Sequence, residues 1–330
     1  MKKICLLFCG GTITMRRNNR GELRPFFNAK SLLSLVPQLQ RLADVTVLQM
    51  INVDSSDIDP SLWTKLFTTI KDKEKLFDAF VVTHGTDTMA YTASAASFAL
   101  RSITKPIVFT GAQKPVEDLP SDASNNLINA IIAVTTLPVG ISIVFGPKIL
   151  QANRATKISE SELDAFDSPM VSPLGVISLK PRIINSTHKP LSHLNWNHMT
   201  FDPNILEIQL IPGLSCGYLT SLLSKKCHGI ILEGFGPGNI PKSLLQFFKQ
   251  AKGKQIPVVI LSQCRSGITQ MKLYEAGSRA IKEGAIPGGD MTVEAAATKL
   301  MWIMAKTRDL KVIKDVFQKN ISGEVTNYDK

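Results

Sequence analysis

Ala79-Phe80-Val81-Val82-Thr83-His84-Gly85-Thr86-Asp87-Thr88 is the stretch on which the reading of this chain turns. Its apolar start reads as a buried strand. Hydroxyls, a glycine and a carboxylate follow, and the small-residue run from Met89 to Leu100 then reads as a helix. Polar groups therefore stand at the carboxyl end of a strand, the edge at which open α/β sheets bind ligands.

The same grammar repeats on both sides. Strands are expected at Ile4–Cys9, Asp44–Ile51, Ala79–Thr83, Pro106–Thr110 and Gly140–Phe145. Helices are expected near Asn28–Arg41, Pro60–Lys73, Thr88–Leu100 and Ser121–Thr136, the last with Ser121-Asp122 as its cap. Such alternation predicts a parallel α/β sheet. The stretch Asn185–Asn204 lacks periodicity. Its His188, His193 and His198 sit in a polar loop setting that suits surface histidines better than metal ligands. Beyond it the alternation resumes, with strands at Gly229–Glu233 and Pro257–Ser262. Helices are expected at Ser243–Ala251, Met271–Glu283, Thr292–Lys306 and Asp309–Lys319, with Asp290 or Thr292 capping the third. We thus expect a larger N-terminal parallel-sheet α/β domain over 1–184, an interdomain linker over 185–204, and a smaller C-terminal Rossmann-like α/β domain over 205–330. A length of 330 residues suits two cores better than one.

Composition narrows the class. With 44% hydrophobic and 20% charged residues the chain reads as globular, and no apolar run approaches the ~20 residues of a membrane span. Met1 to Gly11 superficially resembles a signal peptide, but Gly10-Gly11 follows a short apolar core without a cleavage site, so a buried first strand is the better reading. The five cysteines form no C-x-x-C pair, which argues against a disulfide framework or zinc and for a reducing, cytoplasmic setting. The net charge of +11 is spread along the chain, with a local cluster at Arg16, Arg17, Arg20 and Arg24. Neither a basic stripe nor a nucleic-acid module accompanies it, so solvated surface is the simpler account.

Four polar segments follow strands: Gly10-Gly11-Thr12-Ile13, Asp54-Ser55-Ser56-Asp57, His84-Gly85-Thr86-Asp87 and Gly111-Ala112-Gln113. If the strands are parallel, all four share one edge and build a single site. Threonine is a weak nucleophile that needs a base, and Lys157 is a candidate for that role beside Thr86 and Asp87. Ser55 and the glycine-turn N–H groups suit a substrate carboxylate, and a backbone N–H near Ala112 suits an oxyanion. Each segment alone has a plainer reading. Gly-Gly-Thr serves as a strand-to-helix turn, Asp-Ser-Ser-Asp as helix capping before Pro60, and His84 as a packed histidine. There is no G-x-G-x-x-G after the first strand and no phosphate loop, and Pro237 spoils Gly234–Gly238 as a phosphate cradle.

Together, in this order, the segments resemble the bacterial-type L-asparaginase family, most closely its cytoplasmic type I branch. Gly10-Gly11-Thr12-Ile13 and His84 to Ala95 carry the resemblance. Ser121-Asp122, Asn126-Leu127, Asn153-Arg154, Thr156-Lys157, Gly236-Pro237-Gly238-Asn239, Gln263-Cys264, Gly288 to Thr292 and Ser322-Gly323-Glu324 extend it over nearly the whole chain. The resemblance implies hydrolysis of L-asparagine to L-aspartate and ammonia through a threonine acyl-enzyme. Thr12, Thr86, Asp87 and Lys157 would be catalytic, with the order of attack by the two threonines left open. Gly11, Asp54, Ser55, Ser56, Gly85 and Ala112 would bind substrate, Ser56 standing where many members carry glutamine. Asn239 and Glu275 would complete a neighbouring subunit's site in a homotetramer of tight dimers. No metal or organic cofactor, nucleic acid or membrane is implied. A glutaminase, the amidase subunit of a tRNA-dependent amidotransferase and a non-catalytic amino-acid binder are the alternatives.

Two departures stand out. The family places a tyrosine in the loop after the first motif, hydrogen-bonded to the nucleophile, yet no tyrosine lies in Arg16–Pro25. Glu22 is one residue that could stand in for it, and the basic loop is expected to be a solvated lid or to attract an acidic substrate or product. Members with an inter-subunit effector site can carry arginine where Glu233 stands, so activation by asparagine there is not expected.

Overall fold

The computed structural model describes residues 1–26, 28–179, 181–185 and 194–326. Contacts divide the chain into two compact units, 1–190 with 196–199 and 191–195 with 200–330. Of the expected linker, 186–193, with His188 and His193, lie outside the described residues. Trp196 and Met199 belong to the first unit, where their carbonyls accept from Arg101 Nη2 (3.0 Å) and Thr64 Oγ1 (2.8 Å).

In the first unit β1 (Lys3–Gly10) is followed by a hairpin of β2 (Met15–Arg17) and β3 (Leu23–Pro25). Then come α1 (Ala29–Leu35), α2 (Leu39–Leu42), β4 (Asp44–Val53), α3 (Pro60–Lys73), β5 (Ala79–Thr83), α4 (Met89–Ala99), β6 (Pro106–Thr110), α5 (Ala123–Thr136) and β7 (Gly140–Phe145). The single helix expected over Asn28–Arg41 is two, because Pro37 has no N–H to continue the first. Strands β4-β1-β5-β6-β7 lie in that order, all parallel. The chain steps from β1 to one side, then crosses back to β5 on the other, which makes the β1/β5 boundary a topological switch point. Strands β5 and β6 are wholly buried, as a parallel strand covered on both faces must be, whereas the edge strand β4 is half-exposed.

Beyond β7 the sheet turns antiparallel through β8 (Lys148–Gln151). After β9 (Thr156–Lys157) and β10 (Phe166–Asp167), an antiparallel pair of their own, β11 (Gly175–Val176) and β12 (Arg182–Ile183) complete the eight-stranded sheet. These two-residue strands have no alternation long enough to signal them in sequence.

The second unit holds β13 (Ile205–Gln209), α6 (Cys216–Ser221), β14 (Gly229–Gly234), α7 (Leu245–Gly253), β15 (Val258–Ser262), α8 (Glu275–Lys282), β16 (Ala285–Pro287), α9 (Val293–Met304) and α10 (Leu310–Phe317). Its four strands are parallel and in chain order. Leu219, Ile230, Leu232, Phe247, Phe248 and Ile260 form the centre of its core. Thr292 caps α9 through Ala295 N, while Asp290 instead receives Thr326 N (2.8 Å) and the Thr326 hydroxyl (2.6 Å). Lys299 and Glu324, both fully buried, pair at 2.5 Å.

Candidate active site

Strands β1, β4, β5 and β6 send their carboxyl ends into the four polar segments, and glycines let those segments touch. Gly11 has φ +92°, and a Cβ there would stand 2.6 Å from Gly85 N. A Cβ on Gly85 would lie 2.7 Å from Ser55 Oγ, and one on Gly111 would lie 2.3 Å from the His84 carbonyl. The four loops therefore close on one another across the switch point only because side chains are absent at these places.

His84, at the centre, is fully buried. Its Nδ1 lies 2.8 Å from the Gly85 carbonyl and its Nε2 2.9 Å from Thr92 Oγ1, which in turn accepts from Trp63 Nε1 at 2.8 Å. Nδ1 must donate to the carbonyl, and Nε2 is then the acceptor for the threonine hydroxyl. Burial pushes its pKa down to about 4, against a smaller opposing effect of the Gly85 carbonyl. The ring is a neutral brace for the loop, in accord with its reading as a packed histidine.

The residues of the third loop meet a distant lysine. Lys157 Nζ donates to Thr86 Oγ1 (2.8 Å) and to Asp87 Oδ1 (2.7 Å). Thr86 Oγ1 donates onward to Gln113 Oε1 (3.1 Å), and Gln113 Nε2 donates to the Ser159 and Glu162 carbonyls (3.3 and 3.2 Å). Gln113 thus ties the loop after β6 to the segment carrying Lys157. In the sequence it stands in a motif with no role of its own, and its position beside Ala112 is the only signal there. Asp87 is 66% exposed, which leaves its second oxygen open to a ligand's ammonium group.

The remaining candidates divide. Thr12 is half-buried in a short 3-10 turn, and its hydroxyl makes no hydrogen bond among the described residues. Ser55 is buried against Gly85, and its carbonyl accepts from Thr88 Oγ1 at 2.7 Å. Asp54 Oδ1 accepts from Ser56 N and Oγ, so both side chains shape the turn Ser55–Asp57. The cap of α3 is Asp59, not this run. Ala112 is fully buried. Asp122 does not cap α5 through its side chain. Instead it accepts from Gln113 N and Lys114 N (3.0 Å each) and from Asn126 Nδ2, and so folds the loop beside Ala112.

The hairpin that follows Thr12 is solvated, and three of its arginines face carboxylates. Arg16 makes a two-point ion pair with Glu117 and lies 3.8 Å over the Phe26 ring, Arg17 reaches Asp118 at 3.4 Å, and Arg24 reaches Glu22 at 3.3 Å. Facing carboxylates blunt the field expected from this cluster. Glu22 also accepts from Asn18 Nδ2 at 2.8 Å, so its carboxylate is occupied within the hairpin turn.

Asn239 and Glu275 belong to the second unit. Asn239 bridges Phe235 through the backbone, and its Oδ1 is buried with no hydrogen-bond partner among the described residues. Glu275 opens α8 and pairs with Arg279. Glu233, in β14, has its carboxyl pushed up by burial and by Glu207 and Glu294. Among the described residues no group of three or more His, Cys, Asp and Glu could hold a metal ion, and no helix is long and apolar enough to cross a membrane.

Two family models match the chain: "Asparaginase, N-terminal" over residues 3–189 and "Glutaminase/Asparaginase C-terminal domain" over 204–317. The chain is 35% identical to L-asparaginase 1 of Escherichia coli (strain K12) over 98% of each chain. It is 32% identical to a glutamyl-tRNA(Gln) amidotransferase component of Aeropyrum pernix, over 98% of this chain and 80% of that one. The solved structure of the thermostable L-asparaginase from Thermococcus kodakarensis superposes with a TM-score of 0.90 at 34% identity, over 98% of this chain and 99% of that one.

Proposed function

The chain belongs to the asparaginase family, and from that premise we propose that it is a hydrolase of the side-chain amide of L-asparagine, giving L-aspartate and ammonia. The observation that carries this reading is the Lys157–Thr86–Asp87 cluster, seated at the switch point where Thr12, Ser55 and Ala112 also end. Nearly full-length identity to an L-asparaginase, higher than to the amidotransferase component, ranks it above that alternative.

Thr12 is the nucleophile in this reading. The Thr86 hydroxyl is occupied on both sides, accepting from Lys157 and donating to Gln113, whereas that of Thr12 is uncommitted. Attack of Thr12 Oγ1 on the amide carbon forms an ester and breaks the C–N bond, with the hydroxyl proton leaving on ammonia. Water then adds to the ester, restoring the Thr12 hydroxyl and releasing the carboxylate. Lys157 and Thr86, in hydrogen-bond contact, are the pair that moves the proton of that water. Asp87 and Ser55 hold the substrate's α-amino and α-carboxylate groups, and the loop at Ala112 faces the developing oxyanion.

Assembly as a homotetramer of tight dimers, with Asn239 and Glu275 completing a neighbour's site, and a cytoplasmic location are part of the same proposal. Light scattering of the purified chain tests the first. Ammonia release from asparagine and from glutamine tests the activity. It should be seen for the wild type and fall by about 10²–10⁴ in Thr12→Ala and Lys157→Met. A wild-type chain silent on both amides overturns the reading.

A further inference from the structure

The amino edge of the second unit's sheet carries a surface lined by none of the residues of the proposed site. Two half-open hollows of about 570 and 600 Å³ adjoin there and share Gln255 and Ile256. The first lies where α7 and α8 end and α10 begins, and Phe248, Ile256, Ile281 and Ile286 line its floor. Lys252, Lys282, Lys311 and Lys314 stand around it. The acid at its rim, Asp309, is committed to capping α10 through Lys311 N and Val312 N. The second hollow has Leu223, Ile256 and Met304 below and Lys225, Lys254, His228 and Arg308 above. Arg308 and His228 share Asp202, and Lys254 donates to the Leu223 carbonyl at 2.6 Å. Lys225 and the four lysines of the first hollow form no ion pair among the described residues.

Charges of one sign packed round an apolar floor repel one another, and they attract a ligand that is anionic at its margin and apolar at its centre. The shared wall is also conformationally unusual. Gln255 has φ +58°, the one positive φ outside glycine among the described residues. It turns the chain out of α7 and into β15 where glycine is the usual residue, and such backbone collects at functional sites.

We propose that this double groove docks an acidic, apolar-bearing segment of a partner protein. An extended segment would place one apolar side chain in each hollow and its carboxylates against the lysines. The shape favours this occupant over the other polyanions. A bilayer takes up protruding apolar side chains, and among the described residues none of the exposed large hydrophobics lies on either hollow. Single-stranded nucleic acid takes aromatic stacking platforms, and here the floor is aliphatic apart from the buried Phe248, and all but one of the strong bases are lysines. The surface also gives part of the +11 charge a place and a use.

Fluorescence anisotropy of a labelled peptide of alternating Glu and Leu, titrated with the full chain at low salt, tests the proposal. Binding should saturate and weaken as salt rises. It should drop about tenfold or more in Lys252→Glu/Lys311→Glu/Lys314→Glu, since like charges then face each other. Leu310, a half-buried residue lining the first hollow, changed to Ser, should weaken it a few-fold. Unchanged thermal unfolding and asparagine hydrolysis show that each variant is folded, and Lys252→Gln/Lys282→Gln repeats the comparison without charge reversal. Absence of binding, or equal binding by wild type and the charge variants, overturns the proposal. So does tighter binding of oligothymidylate or of phosphatidylserine vesicles, which would assign the groove to nucleic acid or to a membrane.

Discussion

Acid titration of stability tests the role given to His84. In the folded chain this imidazole resists protonation until about pH 4, because burial removes its hydration and its Nε2 is needed as an acceptor for Thr92. In the unfolded chain it takes up a proton near its ordinary value of 6.5. Between those values the unfolded state binds more protons, so unfolding is favoured as pH falls. The stabilising contribution is therefore complete above about pH 6.5 and lost progressively down to about pH 4. At 1.36 kcal/mol per unit, the gap amounts to roughly 3 kcal/mol. Asp59, Glu74, Glu117 and Asp202 have pKa values lowered by their hydrogen bonds and ion pairs. A depressed carboxylate costs stability only as pH falls below its unfolded value, so these act mainly under the histidine window. Urea unfolding of the wild type and of His84→Gln across that window, at fixed ionic strength and protein concentration, gives the difference directly. The variant should be less stable near neutrality, and its deficit should shrink by about 3 kcal/mol toward pH 4. A deficit that stays constant with pH would refute the buried neutral histidine.

Gly85→Ala sets a methyl 2.7 Å from Ser55 Cβ and Oγ. It should cost about 1–3 kcal/mol in urea unfolding and lower asparagine turnover, whereas Gly217→Ala, where a Cβ meets nothing, should leave turnover unchanged. Lys299→Met leaves the Glu324 carboxylate buried without its cation, and unfolding should show a loss of about 3–5 kcal/mol, whereas a neutral result would mean the pair is dispensable. Arg16→Gln removes the two-point tie between the β2–β3 hairpin and Glu117. It should raise KM for asparagine a few-fold at low salt, and this difference should fade near 1 M salt, where the screening length is about 3 Å.

Local chemistry wrote much of the site into the sequence. Apolar runs such as Ala79–Val82 announce buried strands without reference to anything distant, and the polar, glycine-bearing turn after each one marks the binding edge. That is why five parallel strands and four converging loops are legible, with Thr12, Ser55, Thr86 and Asp87 among them. The small-residue helix α4 and the Pro60 start of α3 are equally local. Pro37, which divides α1 from α2, is as local a signal, but the apolar pattern running through it masks the break.

Tertiary structure alone decided what lies across the chain. Lys157 meets Thr86 from 71 residues away, and Gln113, from a third segment, joins Thr86 to carbonyls of the stretch that carries Lys157. The basic hairpin is quiet because Glu117 and Asp118 come to it from 101 residues on. The lysines of the double groove come from several separated elements and become a cluster only once the second sheet is built. Strand and turn propensities act over a few residues, so they are read directly from order. A hydrogen bond or an ion pair acts over a few ångströms, and which residues come that close is set by the crossing of the sheet.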